Sequence, residues 1–121
     1  MICKTFLIIP MAKPRMVKSD AWRNRKCVVK YWEYKRQVQS LGIKLPEAGA
    51  HVTFVLPMPA SWSQKKKNVW NSSPHQQKPD IDNLLKGILD CIYKDDSVVW
   101  NISATKRWGK EGRIIINNGS N

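Results

Sequence analysis

Five of the nine acidic residues lie within residues 80–96, in the order Asp80, Asp82, Asp90, Asp95 and Asp96. Two lysines share that stretch and leave it with a charge of −3, whereas the whole chain carries +12. Carboxylates drawn together repel one another, and either a raised pKa or a bound cation relieves the repulsion. Mg²⁺ prefers oxygen ligands, and at a phosphodiester it activates a water and neutralises developing charge. The acidic stretch therefore indicates metal-assisted hydrolysis of a phosphodiester.

A helix is predicted to position these acids. Apolar residues recur at a helical period at Ile81, Leu84, Leu85, Ile88, Leu89 and Ile92. An amphipathic helix over 81–92, packed on a sheet, turns Asp82 and Lys86 away from its apolar face, one turn apart. Asp80 precedes the helix as its N-cap, where the helix dipole favours an anion. If the strand that follows residues 95–96 lies beside this helix, the carboxylates converge.

Each acid also has a simpler explanation. Asp80 can be a plain N-cap, Asp82 can form a surface ion pair with Lys86, and residues 95–96 can be turn residues before a strand. Each explanation suffices for its own residue. None of them accounts for acids clustered in an otherwise basic chain.

Composition indicates the class of protein. A chain of 121 residues with 42% hydrophobic and 25% charged residues predicts one domain, 1–121, with its own core. The run 6–9, closed by Pro10, is too short for a signal peptide or a membrane span. Three cysteines without a CxxC pair predict neither disulfides nor a zinc site, so we expect a cytoplasmic protein. The charge favours a nucleic-acid partner, although a ribosomal protein would carry it equally well.

The patterning predicts an α+β fold in the order β-α-β-α-β-β, a mixed sheet packed with two main helices. The predicted elements are strand 6–9, helix 29–41, strand 51–56, helix 81–92, strand 97–108 and strand 113–117. His51 then lies on a strand and is not expected to bind metal. Residues 60–79 are predicted to be a loop of about twenty residues, in which His75 has no partner nearby in sequence.

Basic residues outside the acidic stretch are candidates for nucleic-acid contacts. They are Lys13 and Arg15 in a basic arm over 11–30, and Lys65, Lys66, Lys67 and Lys78 in the 60–79 loop. Trp62 and Trp70 flank the lysine triplet, and lysines beside indoles suit a sugar-phosphate backbone or stacked bases. A solvated surface segment explains the same residues equally well.

Three segments carry a resemblance to a known family. Residues 78–86 (KPDIDNLLK), 89–90 and 93–98 (YKDDSV) resemble the DxDNLxK and later DD pattern of RusA-type Holliday-junction resolvases of bacteria and their prophages. Further resemblance lies in residues 57–63 and 9–15, so it covers most of the chain.

The resemblance implies a homodimeric endonuclease of DNA recombination and repair in the bacterial cytoplasm, encoded by the host or a prophage. It would cut four-way junctions by paired symmetric incisions, with Mg²⁺, or Mn²⁺ as a substitute, and no small-molecule cofactor. Asp80, Asp82 and Asp96 match the metal-binding catalytic acids, Lys86 matches the catalytic lysine, and Asp90 matches an aspartate of structural support. The two-fold symmetry of a junction agrees with a C₂ dimer.

One departure from the family pattern leaves alternatives open. The link between Asp90 and residues 95–96 is shorter than usual, so either the helix ends early or the metal ligand shifts within that pair; we favour Asp96. A non-catalytic DNA-binding protein of prophage origin and a nuclease acting on forks or flaps are the competing functions.

Overall fold

Within the residues that the structure describes, the fold combines one sheet with three α-helices and one 3₁₀ helix. A computed structural model describes residues 2–14 and 26–118. Its elements are β1 (Ile2–Phe6), α1 (Lys26–Ser40), β2 (Ala50–Pro57), α2 (Gln64–Trp70), α3 (Ile81–Ile92), a 3₁₀ helix (Asp96–Val98), β3 (Ile102–Gly109) and β4 (Arg113–Asn118). The predicted α+β class and element order are confirmed, with α2 as an additional helix.

The sheet has the strand order β1-β4-β2-β3. Strands β1 and β2 both pair antiparallel with β4, whereas β2 and β3 are parallel, in register from Ala50 opposite Ile102 to Pro57 opposite Gly109. Parallel neighbours require a crossover connection, because the chain must return to the end of the sheet at which the first strand began. All five clustered aspartates lie in this crossover.

The core lies between the sheet and helices α1 and α3. Alternate residues of β2 and β4 are buried, as expected for strands with one face toward the core, and Val55 of β2 is buried in addition. The largest fully buried side chains include Phe54 and Val52 of β2, Leu84 and Ile88 of α3, and Ile114 of β4. Burial of the Leu84 and Ile88 side chains fixes which face of α3 turns toward the sheet, and its charged face is left toward solvent.

The unstructured loop predicted over 60–79 is wrong in part, because α2 forms within it. Ser63 caps this helix by accepting a hydrogen bond from the backbone N–H of Lys66 at 3.1 Å. The seven-residue helix buries none of its side chains, so it has no hydrophobic period that the sequence could display.

Two predicted strand boundaries are also wrong. The first strand is Ile2–Phe6, not 6–9, because β4 provides ladder partners for residues 2–6. Beyond it Ile8 is buried, whereas Leu7 and Ile9 are exposed. The strand predicted to start at Ser97 begins at Ile102, since the preceding residues form the 3₁₀ helix.

Strand β2 also holds one of the two histidines, as predicted. The His51 ring nitrogens lie 2.6 Å from the Ser103 hydroxyl and 2.9 Å from the Thr105 hydroxyl on the neighbouring strand β3. Both nitrogens therefore have protein partners. Arg15 and the basic-arm residues up to Arg25 lie outside the described residues. In the described ranges, no helix combines the length and apolar character needed to cross a bilayer.

Candidate active site

Helix α3 presents two aspartates at its start. Asp80 occupies the N-cap position with an extended backbone, but its side chain makes no capping hydrogen bond. Asp82 lies in the first turn, and both residues are exposed. Asp80 therefore occupies the predicted N-cap position, but its side chain does not act as a cap. Two carboxylates beside the positive end of the helix dipole are electrostatically tolerated.

Lys86, one turn further along α3, does not pair with Asp82. Its ammonium lies 2.9 Å from Oδ2 of Asp96 and 3.4 Å from Oδ1 of Asp90. The hydrogen bond to Asp96, together with the nearby charge of Asp90, raises the pKa of Lys86. The alternative that Asp82 and Lys86 form a simple surface pair is thus wrong, and Lys86 instead joins α3 to the 3₁₀ helix.

The two adjacent aspartates of the DD pair have different surroundings. The Asp95 carboxylate accepts a hydrogen bond from the backbone N–H of Ser97 at 3.0 Å, which caps the 3₁₀ helix. Hydrogen bonding by the Ser97 side chain, and then by its backbone N–H, lowers the pKa of Asp95. The Asp96 carboxylate is the one that reaches Lys86. Asp95 therefore serves the local backbone, whereas Asp96 faces α3.

Asp90 lies between two lysines. Its Oδ2 is 2.6 Å from the ammonium of Lys13, and its Oδ1 is the atom close to Lys86. Burial alone would raise the pKa of Asp90, but the ammonium groups of Lys13 and Lys86 outweigh burial and hold the pKa below its usual value. From the sequence, Lys13 was a candidate for nucleic-acid contact or for a solvated surface. No periodicity indicates its contact with Asp90, since the two residues lie far apart in the chain.

Gly87 lets the N-terminal segment lie directly on α3. A Cβ atom at Gly87 would overlap the backbone carbonyl of Met11 and press on the backbone nitrogen of Lys13. From the α1 side, the Tyr31 hydroxyl donates a hydrogen bond to the Gly87 carbonyl at 2.9 Å. A larger residue would separate these segments, so this glycine is a packing requirement of the site's scaffold.

A lysine of β3 binds the backbone of the residues that come immediately before Asp80. The Lys106 ammonium donates hydrogen bonds to the carbonyls of Gln77 at 2.6 Å and Pro79 at 2.8 Å. This contact orients the residues immediately before α3. The sequence showed only a lysine on a predicted strand, which is no signal of such a role.

The site does not contain a preformed cluster of three ligands. Among residues 2–14 and 26–118, no three histidine, cysteine or acidic side chains stand close enough together to hold one metal ion. What the structure does bring together is Lys86 with Asp90 and Asp96. Asp80 and Asp82 lie at the start of the same helix, and the donors of Asp80, Asp82 and Asp96 are carboxylate oxygens, which suit a hard divalent cation.

Aromatic side chains organise the neighbouring basic region around α2. The Trp62 ring lies 4.8 Å from that of Trp108 and 6.3 Å from that of Trp70, measured between centroids, and the Lys66 ammonium stands 4.2 Å above it. The buried His75 ring also packs against Trp108, with 4.2 Å between the centroids. The loop is therefore anchored by Trp62 and Trp108, and Lys66 makes a cation–π contact rather than pointing freely into solvent.

The remaining basic candidates of this region are Lys65, Lys67 and Lys78. Lys65 and Lys78 are exposed, whereas Lys67 is half-buried. The capped helix α2 carries Lys65 and Lys67, and Lys78 lies two residues before Asp80. These three lysines and Lys66 thus lie on the same crossover as the acids.

Comparison with known proteins agrees with the motif. Residues 8–117 match the model of the family described as endodeoxyribonuclease RusA. Over 68 residues the chain is 38% identical to "Uncharacterized protein YqaN" of Bacillus subtilis (strain 168), an alignment covering 50% of this chain and 48% of that protein. The chain thus spans about half the length of this curated relative. No solved structure matches.

Proposed function

The chain belongs to the RusA endodeoxyribonuclease family, and from that premise we propose that it resolves four-way DNA junctions by paired, symmetric, Mg²⁺-dependent hydrolysis of phosphodiesters. The observation that carries the proposal is the 2.9 Å contact between Lys86 and Asp96, which joins the DxDNLxK segment to the later DD pair. Two segments that are separate in sequence thereby meet at one place.

Asp80, Asp82 and Asp96 would hold the metal ion, and Mn²⁺ can replace Mg²⁺ because both accept oxygen ligands. The support is the chemistry of the donors and the electrostatics of the region, where an acidic stretch stands in a chain of charge +12. When bound, the ion supplies charge neutralisation at the phosphate and an activated water. Asp96 is preferred over Asp95 because the Asp95 carboxylate is occupied by the backbone of the 3₁₀ helix.

Lys86 would contribute a positive charge beside the scissile phosphate. Its side chain is half exposed, and it stands on the charged face of α3 together with Asp82. A lysine there can donate to a phosphate oxygen and stabilise charge that develops during hydrolysis. Lys65, Lys66, Lys67, Lys78 and, beyond the described residues, Arg15 are proposed to bind the DNA backbone.

The proposed assembly is a C₂ homodimer in a bacterial cytoplasm, acting on chromosomal or prophage DNA. A four-way junction has two equivalent strands to cut, and a dimer with one site per subunit matches them.

The experiment compares the wild-type protein with Asp82→Asn on a labelled synthetic junction, with Mg²⁺ or with EDTA, on a denaturing gel. Glu33→Gln, which removes an exposed acid of α1, is the charge-matched control. Paired symmetric cuts by wild type and Glu33→Gln in Mg²⁺ alone, and none by Asp82→Asn, are expected. A junction that is shifted but never cut would contradict the proposal and favour a DNA-binding protein. Equal cutting of junction, fork, flap and linear duplex would contradict junction specificity.

A further inference from the structure

One carboxylate in the site is contacted by two ammonium groups. Asp90 places Oδ2 at 2.6 Å from Lys13 and Oδ1 at 3.4 Å from Lys86, while Lys86 is also 2.9 Å from Asp96. The four side chains thus alternate in charge as Lys13, Asp90, Lys86, Asp96. Lys86 therefore has two acidic neighbours, Asp90 and Asp96, and Asp96 is the nearer one.

The backbone contacts of Lys13 with α3 hold its side chain close to Asp90. The segment over residues 11–13 lies against α3 where Gly87 has no side chain, and the Lys13 N–H donates to the Asn83 carbonyl, with 3.5 Å between nitrogen and oxygen. The Lys13 side chain is 34% exposed, against 50% for Lys86. Its ammonium therefore reaches Asp90 from a backbone that is already held on the helix.

We propose that Lys13 is a positioning residue, which binds Asp90 and thereby keeps the Lys86 ammonium on Asp96 and beside the scissile phosphate. This inference rests on the proposed function. Without Lys13, the ion pair that Asp90 keeps among the described residues is the one with Lys86. The attraction between opposite charges at these separations is strong at the effective dielectric of a protein surface. Lys86 would then move toward Asp90 and away from the reacting phosphate.

The geometry favours this role over a direct contact between Lys13 and DNA. The Lys13 ammonium already has a carboxylate at 2.6 Å, so binding a phosphate would require it to leave Asp90. The two roles differ in what a substitution changes: loss of a phosphate contact weakens binding, whereas a displaced Lys86 slows the bond-breaking step.

The test uses full-length protein carrying Lys13→Gln, Lys13→Arg, Asp90→Asn or the double substitution Lys13→Gln with Asp90→Asn. Lys35→Gln is the control, because Lys35 lines the same surface depression as Lys13 and Asp90 and has no ion pair within the described residues. Two quantities are measured on one junction: the dissociation constant in EDTA and the single-turnover cleavage rate at saturating protein in Mg²⁺. Circular dichroism verifies that each variant folds.

Lys13→Gln is expected to slow cleavage at saturation by about ten- to a hundredfold, since small displacements of a catalytic group have effects of this size, while the dissociation constant changes by less than about threefold. Lys13→Arg restores the rate. The double variant cuts faster than Lys13→Gln, because the neutral amide that replaces the Asp90 carboxylate no longer attracts Lys86. A lost structural support or a lost phosphate contact would not be rescued by removing this carboxylate.

The inference is overturned if Lys13→Gln weakens binding and leaves the saturated rate unchanged, if the double variant is as slow as Lys13→Gln or slower, or if Lys35→Gln loses as much activity. Should Lys13→Gln fail to fold, the comparison of Lys13→Arg with the double variant decides in the same way. A wild-type protein that cuts no junction overturns the proposed function and this inference together, whereas a cutting wild type with an equally fast Lys13→Gln overturns the inference alone.

Discussion

The ammonium of Lys86 and Oδ2 of Asp96 lie 2.9 Å apart, although ten positions and the end of α3 separate the two residues. The 3₁₀ helix makes this contact, because it turns the chain back toward the exposed face of α3 shortly after the helix ends. The neighbouring Asp95 is used to cap that same turn. The 3₁₀ helix therefore gives the adjacent residues Asp95 and Asp96 different contacts, although their side chains are identical.

This assignment predicts a difference between two conservative substitutions. Asp96→Asn is expected to lower the single-turnover cleavage rate by at least about a hundredfold. Loss of a residue that supports a metal ligand costs up to about a hundredfold in activity, and loss of the ligand itself is expected to cost more. Asp95→Asn is expected to retain the rate within about threefold, since an asparagine side chain can still accept the Ser97 N–H. Both are measured on the same labelled junction in Mg²⁺. The opposite order would move the proposed ligand from Asp96 to Asp95.

Packing at Gly87 predicts a loss of stability for Gly87→Ala. Alanine favours a helix by about 1 kcal/mol over glycine, but its Cβ would overlap the Met11 carbonyl. Overpacking of this kind typically costs about 1–3 kcal/mol, so we expect a net loss. Urea unfolding measures it, with Asn83→Ala, an exposed position of the same helix, as the control that changes stability by less than about 0.5 kcal/mol. A more stable Gly87→Ala protein would contradict the close approach.

His75 predicts how stability depends on pH. Burial of the ring, followed by the positive charge of Lys106, lowers the pKa of His75 in the folded protein. Its contribution to stability is therefore fully present above the ordinary histidine pKa of about 6.5, and is lost as the pH falls from there toward the folded value. Urea unfolding between about pH 8 and 5 should show this decrease for wild type and for His51→Asn, but less of it for His75→Asn. An unchanged slope in His75→Asn would refute this origin.

Two exposed lysines, Lys65 on α2 and Lys78 shortly before α3, predict changes in DNA affinity. Lys65→Gln and Lys78→Gln should each weaken junction binding at about 0.1 M salt and reduce the salt dependence by about one phosphate contact. Binding is measured in EDTA by fluorescence anisotropy over a series of salt concentrations. Lys4→Gln, an exposed lysine of β1, is the charge-matched control. If Lys4→Gln reduces the salt dependence of binding equally, the effect arises from the net charge of the protein and not from a contact between lysine and phosphate.

Helix α3 could be predicted in full, and its bounds are confirmed, because its apolar residues recur at one period and face one core. Helix α2 could not be predicted, because it is held by the Ser63 cap and by neighbouring indoles rather than by a buried face of its own. Strand β1 was misplaced because the apolar run 6–9 resembles a strand, whereas the ladder with β4 involves residues 2–6.

The candidate site was predictable in its residues but less so in its contacts. Motif spacing identified Lys86 and Asp96, and the structure brings them together. The roles of Lys13 and Lys106 depend on neighbours that the chain supplies from distant elements. No local pattern encodes such contacts, since the spatial proximity arises only after the sheet and α3 have packed.

The parallel pairing of β2 with β3 has a consequence for the folding of the chain. Every proposed catalytic residue lies between these two strands, in the connection from Met58 to Asn101. Closing this long connection is slow, because the chain loses conformational entropy before the contacts between β2 and β3 can compensate for that loss. We therefore expect the proposed nuclease site to form only once β3 has paired with β2. A newly made chain would therefore carry its charge of +12 before the proposed site is assembled.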